Sequence, residues 1–492
     1  MLSQMAFVLS SKIKKCVCGN NNHLFKPTLK RKGALLMISD TPVTQPTYRN
    51  LKFLLATMAV LAAGTLAGIA ASWLAHASPG TYDLKEINTG DTAWVLAASA
   101  LVMIMTPAVG FFYGGMVRSK NVVSVIKQSL VILAIVSVQW VLFGYSLAFG
   151  DDIGHGLLGG PAFFGLNGVG YPPNSHYAPT IPHLAYMIFQ AMFAIITPSL
   201  IIGAFVERIR FRTLIVFIIL WSTLVYDPIA HWVWSTNGWL HKLGTLDFAG
   251  GTVVHASSGF AALAAALVVG KRSDFQKGQA IEGNNVPLTI LGAALLWFGW
   301  FGFNAGSAVS ASALAANAFV VTNTCAAVAG LIWMILSWVQ YGRPSALATA
   351  TGAVAGLVVI TPASGYVRPL SSIAIGILGG LVTYLMLVLR NKLTNVDDTL
   401  DVWAVHGMGG ITGALLTGVF AERVINGTDG MFLGNLGQLL PQLIAVLATI
   451  VYSFIVTFIL LKLISFMGLR VSKRDEMVGL DLASHGEEGY RI

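Results

Sequence analysis

Two histidines stand inside apolar stretches of this chain: His255 in GGTVVHASSG (250–259) and His406 in AVHGMGGITG (404–413). An ionisable group at the centre of a membrane-crossing helix costs about 2.5–3.5 kcal/mol or more unless it is paired, and for that reason such groups mark pathways more often than packing. A single histidine on an apolar helix reads most simply as a hydrogen-bonded packing residue; two at corresponding places shift the reading to function. Neutral imidazoles joined edge to edge each present one donor and one acceptor nitrogen, so a pair can relay a hydrogen bond or a proton. An aspartate precedes each: Asp247 eight residues before His255, and Asp401 five residues before His406. Asp247 is either a counter-charge for a cation or a hydrogen-bond cap that anchors its helix. Metal binding by the two histidines would need further ligands, and no Cys, Glu or third His stands beside them at coordinating spacing.

The elements that must hold these histidines are membrane helices. Of the 492 residues 55% are hydrophobic and 10% charged, the mean hydropathy is +0.72, and a soluble domain carries about a quarter charged residues. Apolar runs of about 20 residues, each able to cross roughly 30 Å of hydrocarbon, recur from Thr92 to Met467. The expected fold is therefore an all-α polytopic membrane domain over residues 78–467. Its eleven spans begin near Thr92, Val122, His183, Thr213, Phe248, Val286, Ser312, Ser345, Ser371, Val402 and Gln438. His255 and His406 fall in the fifth and tenth. Five crossings leave the chain on the opposite side, so two five-span halves in series form an inverted repeat, followed by one C-terminal helix; such folds place the substrate site at the repeat interface. The Asp-then-His order closing each half is read as the mark of that repeat. Most of the 52 glycines are explained by close helix packing in lipid and carry no binding role individually.

Connections bearing Arg118, Lys120, Arg208, Arg210, Arg212, Lys271, Arg272, Lys277, Arg343, Arg390 and Lys392 alternate with ones bearing Lys85, Lys242, Arg368 and Arg423. The richer side is cytoplasmic, which puts the C-terminus inside and the mature N-terminus outside a bacterial inner membrane. The net charge of +9 follows from this loop bias and does not call for nucleic acid. Residues 1–77 read as an N-terminal extension and a cleaved signal peptide ending at Ala75-His76-Ala77, with Met37 an alternative start. The long connection from Gly150 to His183 is expected to be an ordered vestibule loop, and residues 468–492 a polar cytoplasmic tail, either a regulatory contact or a solvated end. Cys16, Cys18 and Cys325 build no disulfide framework. Walker, H-E-x-x-H, G-x-S-x-G and paired N-P-A motifs are absent from the sequence. No enzymatic activity, cofactor or metal is expected.

Several stretches together resemble the ammonium transporter family, the Amt, Mep and Rh group: FFYGGMVRSKN (111–121), GYSLAFG (144–150), FQAMFAIIT (189–197), GAFVERIRF (203–211), DPIAHWVW (227–234), LDFAGGTVVH (246–255), GWFGFNAGSA (299–308), VDDTLDVWAVHG (396–407) and GLDLASHGEEGY (479–490). The resemblance covers about residues 91–490. It implies a homotrimer in which each subunit holds eleven helices around its own narrow pore, lined by His255 and His406. It further implies an external recruitment site at Phe193, Trp234 and Ser307, a phenyl gate of Phe193 with Phe303, flanking pore or vestibule aromatics at Phe189, Tyr226 and Trp300, and an essential acidic residue at Asp247. The residue types suit the substrate. Ammonium is a cation with four N–H donors, which aromatic faces attract by about 0.5–2 kcal/mol each while a hydroxyl accepts one donor. Below the gate a bare ion would meet a steep desolvation penalty, so deprotonation and passage of ammonia, with or without a separate proton, is expected. Trp234 and Ser307 favour the Amt branch over the Rh branch. A PII-type signalling protein on the cytoplasmic face is the partner that the resemblance implies. The alternative function is an ammonium sensor of the same fold, acting through a cytoplasmic partner.

Overall fold

The computed structural model describes residues 87–277 and 282–490. The expected signal peptide, Cys16 and Cys18 lie outside the described residues. Among the described residues, nine helices are long and apolar enough to cross a membrane: α1 (Thr89–Met116), α2 (Ser119–Phe149), α3 (His183–Ala204), α4 (Phe211–Leu243), α5 (Gly251–Val269), α6 (Val286–Gly306), α7 (Ala313–Tyr341), α9 (Pro369–Leu393) and α11 (Leu436–Met467). Two further helices begin near Ser345 and Val402, the first of them shorter than a span. These are α8 (Ala346–Ile360) and α10, in which Trp403–Met408 continues as Gly409–Phe420. Fifteen helical residues rise about 23 Å, less than a hydrocarbon core of about 30 Å. Burial explains why α8 can be short: Gly352 to Ile360 are all inside protein.

Helix starts follow local chemistry. The side chains of Asn88, Asn285 and Ser345 accept the amides of Asp91, Leu288 and Ala348 at 3.0, 2.9 and 3.1 Å, filling acceptor positions that open helix ends leave vacant. Side-chain size then decides which helices touch. A Cβ on Gly299 or Gly302 would overlap Met105 or Leu101, so α6 lies directly against α1. A Cβ on Gly259 would overlap the backbone of Gly407, and one on Gly410 would overlap Gly251 and Ala256. The helices carrying His255 and His406 therefore cross backbone to backbone, where only glycine fits.

The connection between α2 and α3 is ordered. It holds a 3₁₀ turn (Pro161–Leu166) and a two-stranded antiparallel ribbon, β1 (Pro173–Asn174) with β2 (Ala178–Pro182). Ser146 Oγ donates to Gly160 O at 2.6 Å and accepts Phe163 N at 2.8 Å, stitching the loop to the end of α2. At the other end of the bundle the tail is fastened rather than free. It forms α12 (Lys473–Val478), capped by Ser472, then a π-helical turn, Asp481–His485. The Asp481 carboxylate accepts Val123 N and Ser124 N at 3.0 and 2.7 Å. Glu476 accepts Ser273 N at 2.7 Å and pairs with Arg470 at 2.7 Å. Burial works to raise Glu476, but Arg470 and Ser273 hold it below the usual glutamate range.

Candidate functional site

Both histidines sit in π-helical turns, Gly251–Ala256 and Trp403–Met408, the one-residue expansions that recur at functional sites. An aspartate caps each turn. Asp247 Oδ1 accepts Gly250 N and Gly251 N at 2.8 and 2.6 Å, and Oδ2 accepts Thr252 N at 2.8 Å as well as the Thr252 hydroxyl. Gly250, at φ +113°, supplies the left-handed residue that lets the chain fold back over this carboxylate. In the other half the corresponding residue is Asp398, whose oxygens accept Val402 N at 3.2 Å and Trp403 N at 2.8 Å. Asp398 precedes His406 by eight residues, the same spacing as Asp247 and His255. The pairing of Asp401 with Asp247 is thus corrected: Asp401 has φ +60° and pairs with Arg390. Of the two readings of Asp247, counter-charge for the substrate or helix cap, the geometry fits the cap: its carboxylate is occupied by the backbone of its own helix start and does not line the cavity described next.

An open cavity of about 590 Å³ lies at the ribbon end of the bundle, lined by Trp234, Phe193, Ser307, Gln190, Tyr177 and Tyr186 among others. The three residues of the expected recruitment triad therefore share one surface. Trp234 donates Nε1 to Asp247 O at 3.0 Å, which fixes its indole and gives the cap a second task. Ser307 donates to Phe303 O at 2.8 Å, so its oxygen lone pairs remain for a donor in the cavity. Gln190 was not apparent from sequence as a lining group. Its amide donates to Tyr186 at 3.1 Å, and its carbonyl oxygen is buried without a protein partner. The signal was at hand, since Gln190 adjoins Phe189 inside FQAMFAIIT, three residues before Phe193. Tyr177 arrives from the ribbon and stacks on Tyr186 with centroids 5.4 Å apart and planes at 7°; nothing in a loop sequence announces that contact.

From this cavity inward the rings form a column. Phe193 meets Trp234 edge-on at 5.6 Å and Phe303 at 4.3 Å. Phe303 lies 6.0 Å from His255, Trp300 stacks on His255 at 5.4 Å and 20°, and His255 stands 5.3 Å from His406 at 25°. The two Nδ1 atoms are 3.3 Å apart, so one ring must carry its proton there and the other must accept. His255 Nε2 has no protein partner. A small apolar pocket beside the imidazoles is walled by Trp300, Phe303, Val254, Leu296 and Ile196. Trp300 is held by a 2.9 Å bond from Nε1 to Thr361 Oγ1. Phe189 is buried behind Phe193 at 5.0 Å and lines neither cavity. Tyr226 lies apart from the column, edge-on to Trp140 at 6.2 Å, so its assignment to the pore or vestibule is corrected.

At the tail end a cluster of charges ties distant stretches of the chain together. Arg208 donates to Ala204 O and Asp397 O at 2.8 and 2.6 Å, and Arg272 pairs with Asp397 at 2.8 Å. Burial works to raise Asp397, but Arg272 and Arg208 keep it below the usual carboxylate range.

Comparison with known proteins gives the family. A family model described as Ammonium Transporter Family matches residues 93–490. The chain is 48% identical over 405 residues to the ammonium transporter Amt1 of Archaeoglobus fulgidus, covering 82% of this chain and 100% of that one. It is 48% identical over 408 residues to an ammonium transporter of Bacillus subtilis, covering 82% and 99%. The crystal structure of Saccharomyces cerevisiae Mep2 superposes with a TM-score of 0.74 at 37% identity, over 79% of this chain and 89% of that one. A structure titled Sensor Amt Protein does so with 0.75 at 32%, over 80% and 98%. A match across nearly every described residue, with relatives at close to half identity along their whole length, makes this chain a multi-pass membrane protein of the ammonium transporter family.

Proposed function

We propose that the chain takes ammonium from outside the cell at Trp234, Phe193 and Ser307, removes a proton, and conducts ammonia past His255 and His406 into the cytoplasm. The observation that carries this reading is the unbroken ring column from Trp234 to His406, with a gap of 3.3 Å between the imidazole nitrogens. At the cavity, indole and phenyl faces attract a cation while Ser307 and Gln190 offer oxygen acceptors to its N–H groups. A neutral amine gains little from the rings, so the site selects the ion. Past Phe193 and Phe303, whose centroids are 4.3 Å apart, the pocket beside His255 is lined mainly by apolar side chains, which do not replace the water a cation would lose. Ammonia crosses this step far more cheaply.

The imidazoles suit either cargo. A donor approaching His255 Nε2 requires the His255 proton on Nδ1, where it is donated to His406 Nδ1; the His406 proton is then on Nε2. Adding a proton at one end and releasing one at the other carries charge, whereas a fixed pair only guides ammonia by hydrogen bonds. Two π-turn histidines, each eight residues after a capping aspartate, support the inverted five-span repeat, with α8 and α10 counted to give eleven spans. The basic loops and the fastened tail then face the cytoplasm. A homotrimer and a PII-type partner follow from family membership and are proposed on that ground.

The likeness to a structure titled Sensor Amt Protein favours one second reading, an ammonium sensor that signals through a partner. Growth of a transporter-deficient strain on limiting ammonium separates the two: transport predicts rescue, and failure to rescue despite normal membrane insertion contradicts it. In the same assay Trp234→Leu should raise the ammonium concentration for half-maximal uptake about tenfold, the loss of one strong cation–ring contact, with protein level unchanged.

A further inference from the structure

The bundle contains a second facing pair of π-helical turns that the ring column does not use. Trp140–Gly144 interrupts α2 and Ser222–Tyr226 interrupts α4. Gln139, the last residue before the first turn, donates Nε2 to Oδ2 of Asp227, the first residue after the second, at 2.8 Å. Asp227 has no exposed surface. Among the described residues Gln139 is its one hydrogen-bonding partner, and no arginine, lysine or histidine pairs with it. The groups around the pair are neutral: Thr223, 3.4 Å from Gln139 Nε2, and Tyr226, which abuts Trp140. The next titratable group on the helix, His231, is turned away to Ala148 O at 2.9 Å and Asp152 at 3.3 Å.

A π turn holds one residue more than the α-helix needs. If it relaxes, every residue beyond it shifts register by one, a rotation of about 100° and a slide of about 1.5 Å. Trp234 stands seven residues beyond Asp227 on the same helix. In the observed register Trp234 reaches Asp247 O and faces Phe193, and His231 reaches its two partners; a one-residue slip would break all of these together. We propose that the Gln139–Asp227 hydrogen bond is a register lock joining the two π turns, and that Asp227 is thereby a positioning residue for Trp234. The lock works through hydrogen-bonding shape and needs no charge, so an amide at position 227 serves as well as an acid. This inference rests on the proposed recruitment role of Trp234.

The test is ammonium and methylammonium uptake by Asp227→Leu, Asp227→Asn, Trp234→Leu and the Asp227→Leu/Trp234→Leu double variant, with membrane level and solution monodispersity measured for each. The lock predicts that Asp227→Leu raises half-saturation about tenfold, as loss of the tryptophan contact does, and keeps the maximal rate. Asp227→Asn should stay within about twofold of wild type, and Asp227→Leu should add nothing in the Trp234→Leu background. Wild-type half-saturation in Asp227→Leu, multiplying effects in the double variant, or damage by Asn equal to that by Leu would each overturn it. If Trp234→Leu itself behaves as wild type, the recruitment reading fails first and separately. Should Asp227→Leu not reach the membrane, Gln139→Leu/Asp227→Leu removes both polar partners at once, the exchange buried pairs tolerate best, and carries the same expectation.

Discussion

His255 and His406 form the smallest unit on which the proposed function depends. Their shared Nδ1 contact forces complementary tautomers, and leaves His255 Nε2 buried without a protein partner beside the aromatic column. Replacing both with leucine keeps the pocket apolar but removes the two imidazoles from the column inward of Ser307. Uptake by that double variant should fall at least tenfold or change its ion selectivity, and isotopic flux at wild-type rate and selectivity would remove the relay. Residue identity alone disclosed these histidines, because an imidazole in an apolar helix is conspicuous wherever the fold places it. The aspartates were harder. Asp397, Asp398 and Asp401 lie within five residues of one another, and only hydrogen-bond geometry shows that Asp398 caps the turn while Asp401 answers Arg390. Tyr226 illustrates the converse. It directly precedes the DPIAHWVW stretch, yet the π turn that it closes directs it to Trp140.

Helices α5 and α10 bring the pair together, and their crossing is set by glycine. Because a Cβ at Gly259 would overlap the Gly407 backbone, Gly259→Leu must separate the helices. The expected loss is about 1–3 kcal/mol or more, read as a lowered midpoint of thermal unfolding in detergent together with loss of uptake; unaltered stability would contradict the close crossing. Sequence showed that glycines permit such contacts but not which of them are used, since that depends on helix phase and on π turns, which carry no composition signal. The tail is a similar case. Its charges read equally as solvated or docked, and the docking is visible only in partners such as Ser273, some 200 residues away in sequence. Glu476, held below the usual glutamate range, favours the docked tail at neutral pH, and this contribution disappears as the pH falls through its depressed value. Glu476→Gln should make the tail more open to limited proteolysis at pH 7 and remove the acid-induced increase expected of wild type. Equal cleavage of both proteins at pH 7 would contradict the fastening.

Over the whole molecule, the apolar exterior, the basic loops and the interior column describe a protein that moves a small polar species across a membrane. The membrane class and the long helices were legible from hydropathy alone, whereas α8 came out short because burial within protein relaxes the length that lipid would demand. The central claim is that ammonium is recruited as a cation and passes by the imidazole pair. It is tested most directly by ammonium-driven flux into vesicles reconstituted with the full chain, recorded together as membrane current and internal pH, with methylammonium as comparator. Current with little alkalinisation marks net charge transfer, and alkalinisation without current marks passage of ammonia alone. In either case the predicted flux saturates with ammonium, is shifted to higher concentration by Trp234→Leu, and is lost or loses its selectivity when both histidines become leucine. A flux that rises linearly with ammonium, equals that of protein-free vesicles, or ignores the histidines would contradict it.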